Sequence, residues 1–483
     1  MIVWALVSVL MLTQGVSADE GSDLASEQWT QLRALTNQAR RVVKDLEPND
    51  PAIARTAQEL IAAHRRFLQS FPEHTQAWST LGRLAADINE MALADQAFSA
   101  AIALDRDDRG TRITWGTAWM HRDPARGIAM FDSFIETHPD DLVLHTNLLR
   151  ALRLHDSDGI QQRWDRFTAD PDGAVAAATM LHAMIAVDLP RAEALLPSLL
   201  AAKGDLPVVR TVQARVDRRQ NHFGRARAAM EAMAPIDRSD PTRRYLYSDT
   251  CYAEGDYRPA LEVLEAIDME SLGEDKPGLA RRLKTLIPLR RRLAESWPAE
   301  QQQRLGDARL GHAPLIMLRI DGQEVICELH PDAAPNTVAA VLQLVESGFH
   351  DGRPTANVHF GFRSVFGEPD DLDAAVPWTL PPEFQRDEQR THASGALSIF
   401  RSANDPNSGY SRFTIAHFPT PHLDGARTQF GRVISGIDVI RDMRGDETVD
   451  SIEILRRGTP VPMPMVLNAD GALVPLHELS TAP

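Results

Sequence analysis

Two cysteines in 483 residues exclude a disulfide-stapled fold, because stapled domains are small and cysteine-dense. Cys251 and Cys327 fall in different expected domains, and two lone cysteines make no metal site. Each reads as a small apolar packing residue. A basic excess is missing as well. Lys and Arg number 51 against 67 Asp and Glu, for a formal charge of −16, so nucleic acid is excluded as the main partner. Beyond the first residues no run of 18 apolar residues occurs, and no membrane span is expected there. The histidines His350, His359, His392, His417 and His422 lack metal-ligand spacing and read as loop or surface residues. The acidic run EPDDLD at 368–373 lacks the spacing and glycine of a calcium loop. The composition, 43% hydrophobic and 24% charged, is that of a soluble globular chain, and its length suggests about three domains.

The chain opens MIVWALVSVLMLTQGVSADE. An apolar core from Ile2 to Leu12 is followed by Val16-Ser17-Ala18, small residues at the −3 and −1 positions of a cleavage site. This predicts a signal peptide over 1–18 and export to the periplasm or the medium. The start lacks a Lys or Arg, and the alternative is an uncleaved anchor or a buried first helix.

From 19 to 311 helical periodicity dominates and strand-like alternation is scarce. The clearest unit is AWSTLGRLAADINEMALADQAFSAAIALD, in which Trp78, Leu81, Gly82, Ala85, Ala94, Phe98 and Ala101 hold the spacing of two antiparallel helices. The small residues let the helices approach, and Trp78, Leu81 and Phe98 fill the space between them. Ala192, Ala226 and Ala260 recur every 34 residues and extend the ladder. The pattern resembles a tetratricopeptide array, degenerate outside the first unit. The resemblance implies an all-α solenoid whose concave face binds a protein partner. The alternative is an irregular helical domain with chance spacing.

After Ala313 the period changes to two. LIMLRI and EVICEL flank Asp321-Gly322, a hairpin signal. HPDAAPNTVAAVLQLVESG reads as a helix with Pro335 near its start and Gly348 at its end. Short strands follow, so a closed β-barrel capped by helices is expected over 312–458. The remainder, 459–483, is proline-bearing and reads as a tail along the barrel.

Five ordered segments between 314 and 458 are similar to the cyclophilin-type peptidyl-prolyl isomerase family. They are ICELHPDAAPNTVAAVLQLVESGFHDG, LPPEF, HASGALSIF, DPNSGYSRFTI and HLDGARTQFGRVISGIDVI. The resemblance implies rotation about X-Pro bonds of proline-containing or unfolded polypeptides, with no cofactor and no metal. That rotation is slow because the amide has partial double-bond character. In the twisted transition state the prolyl nitrogen gains a lone pair, which a nearby guanidinium can stabilise while an apolar pocket holds the ring.

Within FHDGRPTANVHFGFRSVFGEP the family's catalytic arginine falls on Asn357. Its pocket phenylalanine is kept at Phe362, its glutamine becomes Val365, and its acidic residue becomes Glu368. Phe413 reads as the second pocket aromatic, with Arg412 at the neighbouring glutamine position. His422 stands at a pocket Trp or Phe, Leu423 is kept, and Arg427 stands where a His often follows. Asn357 and Arg412 are therefore the candidate catalytic residues. Phe362, Val365, Phe413, His422, Leu423 and Arg427 are the candidate substrate contacts, and Arg363 and Arg427 are further cations able to replace the lost arginine. Asn can donate a hydrogen bond but lacks the fixed charge and fork of a guanidinium. Two readings follow: an exported isomerase with degenerate catalytic positions, or a non-catalytic scaffold that binds peptides through the barrel and the helical repeats.

Overall fold

The computed structural model describes residues 21–44, 50–120, 122–310, 312–359, 361–367, 378–384, 387–458 and 461–479. The expected signal peptide and the acidic run 368–373 lie outside the described residues. The chain forms two compact units, Met1–Leu195 and Leu196–Pro483. Among the described residues no helix is long and apolar enough to cross a membrane.

The first unit is built of α1 (Gly21–Lys44), α2 (Pro51–Ser70), α3 (Thr75–Asp87), α4 (Met91–Leu104), α5 (Arg109–Met120), α6 (Pro124–Thr137), α7 (Leu142–His155), α8 (Asp158–Ala169) and α9 (Ala174–Val187). Successive helices pack as antiparallel pairs, and small residues set how close they come. A Cβ on Gly82 would sit 2.7 Å from the Phe98 ring, and one on Gly116 would sit 2.8 Å from the Phe131 ring. The Gly82–Phe98 contact between α3 and α4 is thus repeated between α5 and α6, with the two glycines 34 residues apart. Asp50, Asp123 and Asp141 cap α2, α6 and α7 through their side chains, satisfying amides that a helix start leaves unpaired.

Helix α10 (Leu189–Lys203) leads to α11 (Pro207–Arg219), α12 (Phe223–Glu231), α13 (Pro241–Ala253), α14 (Tyr257–Glu265), α15 (Met269–Asp275) and the long α16 (Pro277–Leu310). Ala94, Ala192, Ala226 and Ala260 are each fully buried. Each is the fourth residue of its helix, α4, α10, α12 and α14.

The strands follow: β1 (Leu315–Ile320), β2 (Gln323–Leu329), β3 (Arg353–Pro354), β4 (Ala356–His359), β5 (Arg363–Phe366), β6 (Trp378–Thr379), β7 (Ala396–Ile399), β8 (Phe413–Ala416), β9 (Gln429–Ser435), β10 (Thr448–Arg456), β11 (Met465–Asn468) and β12 (Leu473–Pro475). Helices α17 (Pro335–Glu346) and α18 (Ile437–Asp442) accompany them. Nine strands form one antiparallel sheet in the order β3-β10-β1-β2-β9-β7-β8-β5-β4. The β1–β2 hairpin turns on Asp321 and Gly322, both at positive φ (46° and 77°), as a two-residue turn of matching twist requires.

The closed barrel expected from the strand pattern is not formed. The sheet is a curled half-barrel with β3 and β4 as its edges, and no ladder joins them among the described residues. The two edge strands are short, and only Thr355 separates them in the chain, so they follow one another along the backbone instead of pairing. Leu318, Val325, Leu397, Phe413, Ile415 and Phe430 fill the concave side, with Val338 and Leu344 of α17 against them. After 459 the chain adds β11 and β12, and β11 pairs with both β12 and β6 in a second small sheet. Val466 and Leu476 enter the same core.

Cys251 on α13 and Cys327 on β2 are free and buried. Burial pushes the Cys327 thiol well above its ordinary value, as expected of a packing residue.

Candidate functional site

Alternation along β5 and β8 decides which side chains face the core. Their register pairs Val365 with Thr414 and Phe366 with Phe413. Directly opposed residues share a face. The Phe366 and Phe413 rings stack at 5.2 Å, and Phe413 meets Phe430 edge-on at 6.0 Å. Phe413, read from sequence as a pocket aromatic, is therefore core and 1% exposed. Thr414 takes the place on the opposite face beside Val365, and its hydroxyl bonds Ser398 Oγ at 2.9 Å. Sequence reading missed Thr414 because the aromatic one residue earlier carried the attention. The strict two-residue period of a strand was the signal that separates them.

The outer face carries an aromatic and cationic cluster. A tight turn, Phe362 N–H to His359 O at 2.9 Å, brings Phe362 to the start of β5. Gly361 adopts φ +68° in that turn, where a side chain would strain the backbone. The Phe362 ring lies nearly parallel to His422, centroids 6.1 Å apart. The Arg363 guanidinium sits 5.0 Å from the Phe362 centroid and 4.9 Å from that of Phe400. Arg412 lies 4.6 Å from Phe400, so two guanidiniums contact one ring. Such contacts are worth about 0.5–2 kcal/mol each depending on desolvation. Burial lowers the Arg363 pKa, its Nε has no hydrogen-bond partner, and among the described residues no carboxylate pairs with it. Phe400 was not singled out from sequence, since nothing in its local pattern distinguishes it from a strand terminus.

Arg427 is spent differently. It donates through Nη1 to the Arg401 carbonyl, and burial together with Arg401 and Arg363 pushes it down to about 10. Leu423 is half-buried on the turn Pro421–Leu423. Burial lowers the His422 imidazole, which favours the neutral ring beside Phe362. Asn357 lies on edge strand β4, one strand from Val365, and only its backbone is described.

The other histidines correct the surface expectation in part. His350, His392 and His417 are buried; His359 is exposed. His417 Nε2 meets Ser364 Oγ at 2.8 Å. His392 Nδ1 meets Asp424 Oδ1 at 2.8 Å, and the His392 N–H donates to the same oxygen. These bonds fix the loop carrying His422 and Leu423.

The same loop leans on the helical layer of its unit. Phe418 packs against Tyr252 and Phe223 with centroids 5.3 and 5.9 Å away. Asn221 donates to the Arg441 carbonyl at 2.6 Å, and Arg441 pairs with Glu254 at 3.2 Å. A Cβ on Gly361 would lie 3.7 Å from Asn221 Oδ1, so the Phe362 turn also abuts α11–α12. Phe418→Ala is expected to destabilise the second unit by about 2–3 kcal/mol, below the figure for a fully buried phenylalanine. Urea unfolding measures this, and an unchanged midpoint refutes the buttressing role.

The residues 315–462 match the model of the family described as cyclophilin type peptidyl-prolyl cis-trans isomerase/CLD. Peptidyl-prolyl cis-trans isomerase B of Bacillus subtilis (strain 168) is 36% identical over 135 residues, spanning 28% of this chain and 92% of the relative. This chain belongs to the cyclophilin-type peptidyl-prolyl cis-trans isomerase family. A second relative of the cyclophilin region, the isomerase of Synechococcus elongatus, is 35% identical over 125 residues, 25% of this chain and 83% of its own. Among solved structures, a Cryptosporidium parvum cyclophilin crystallised in the presence of the dipeptide Ala-Pro is 19% identical. It covers 29% of this chain and 98% of its own, with a TM-score of 0.27. The cyclophilin domain thus follows a helical region within one chain, and Phe362, Leu423 and the surrounding cations occupy its outer face.

Proposed function

We propose that this protein is an exported peptidyl-prolyl cis-trans isomerase that acts on proline-containing segments of other proteins. In this reading the guanidiniums beside Phe400 replace the arginine lost at Asn357. The observation that carries it is Arg363, desolvated, lying on the rings of Phe362 and Phe400 and paired with no described carboxylate. A proline ring seated against Phe362 and Leu423 brings the imide nitrogen within the field of that charge. As the amide twists and the nitrogen pyramidalises, the cation favours the distorted state over the planar one. Arg412, on the other contact to Phe400, is the second cation, and Asn357 supplies at most one weak donor.

Loss of one preorganised donor costs on the order of 10²–10³ in rate. In a protease-coupled assay on the full chain, Arg363→Ala and Arg412→Ala are expected to lose kcat/KM on that order, and Asn357→Ala far less. Equal, negligible effects of all three refute the substituted-arginine mechanism.

A second reading is a peptide-binding scaffold without catalysis. Val365 and Thr414 favour it: both are nearly fully buried, and neither offers the substrate a free polar group. An unaccelerated isomerisation rate alongside measurable binding of a prolyl peptide decides for the scaffold. The helical region, read as a tetratricopeptide-like array, binds a protein partner in either case. Recovery of the exported chain with residues 1–18 removed and Asp19 as its first residue tests the signal peptide.

A further inference from the structure

The first unit carries an open cavity of about 470 Å³ between α1, α3 and α5, within the size range of ligand sites. Its lining differs in sign from the rest of the molecule. Arg33, Arg40 and Arg83 face it, against one carboxylate, Asp108, in a chain of net charge −16. Asp108 is already engaged, accepting from the Thr111 amide at 3.0 Å and the Thr111 hydroxyl at 2.5 Å. Arg40 reaches Asp87 at 3.7 Å. Arg33 and Arg83 make no ion pair among the described residues, and Arg83 Nε is buried without a hydrogen-bond partner. The remaining wall is hydroxyl and amide: Ser79, Thr80, Thr114, Asn37 and Gln76. Trp29 closes one side, held by its Nε1 donating to Gln76 Oε1 at 3.1 Å.

We propose that this cavity binds a carboxylate-rich stretch of polypeptide, with Arg33 and Arg83 as the carboxylate-binding residues. The proposal deepens the reading of the helical region as a protein-binding layer and rests on it. Guanidinium forks match carboxylates geometrically and form charge-assisted hydrogen bonds. The cavity is far larger than one small anion fills, and its neutral donors and acceptors suit a backbone. Burial, and the neighbouring Arg40 charge, lower the Arg83 pKa against the opposing pull of Asp87.

The test is fluorescence anisotropy on the full chain with a short labelled glutamate-rich peptide, its glutamine counterpart and inorganic phosphate as competitor. The acidic peptide is expected to bind, to weaken as salt rises, and to lose about tenfold or more in the Arg33→Gln and Arg83→Gln variants. Arg33 is exposed, so its variant reports even where Arg83→Gln fails to fold. Equal binding of the glutamine peptide, or undiminished binding by Arg33→Gln, overturns the proposal. Phosphate bound as tightly as the peptide overturns it in favour of a small-anion site. A neutral or basic peptide bound in preference overturns the acidic assignment but leaves the helical region a protein-binding layer.

Discussion

Arg390→Met is expected to destabilise the second unit by about 3–5 kcal/mol, the cost of breaking a buried ion pair from one side. The Arg390 side chain is fully buried and bonds Glu300 at 3.2 and 3.3 Å and Asp307 at 2.9 Å. Glu300 and Asp307 belong to α16, whereas Arg390 precedes the loop fixed by His392 and Asp424. Burial alone would raise the Glu300 carboxyl, but Arg390 and Arg304 outweigh it and hold the group below its ordinary value. Without Arg390, Glu300 keeps Arg304, 2.7 Å away, and the Thr391 amide at 3.4 Å, in a site still closed to water. Urea unfolding at neutral pH measures the loss. The double variant with Glu300→Gln should recover much of it, because the second change removes the orphaned charge. A single-variant midpoint equal to the parent would refute this account of how α16 is joined to the sheet.

Acidification from pH 7 to 5 is expected to produce the second large loss. Burial pushes His64, His145 and His417 down to about 4, and His350 to about 3. Their unfolded-state values stay near 6.5. Below that pH the unfolded chain binds protons that the folded chain refuses, so stability falls as pH falls. Each histidine's contribution is fully present above pH 6.5 and is lost progressively toward its folded pKa. By pH 5 the loss is about 2 kcal/mol for each. Two of the four lie in each compact unit, so both unfolding transitions should shift. Urea midpoints at pH 7, 6 and 5 give the slope. His64→Gln and His417→Gln should each flatten it in their own unit. A pH-independent midpoint across that window would refute this, because it would mean that these imidazoles take up protons in the fold as readily as in the unfolded chain.

Much of this architecture was legible because it rests on short-range periodicity. Gly82 and Phe98 announced a close helix pair, and the structure places the ring where a Cβ would stand. Asp321-Gly322 announced a hairpin and formed one. Closure of the sheet was not legible. It depends on whether two very short edge strands meet in register, which no local pattern encodes. The site was legible as a location and less so residue by residue. Phe362 and His422 do come together, while Phe413 went to the core because strand alternation, not residue type, sets its direction. Phe400 and Arg390 were invisible because each is defined by partners distant in sequence.

The edges of the sheet bear on what a client chain can do. Strand β3 has two residues and β4 four, and they stand next to each other at Thr355. Long, flat, unpaired edges are templates on which another chain adds a strand. Here neither terminal strand by itself offers more than four residues of backbone for such addition. Another chain meeting these two strands finds side chains to contact before it finds a ladder to extend.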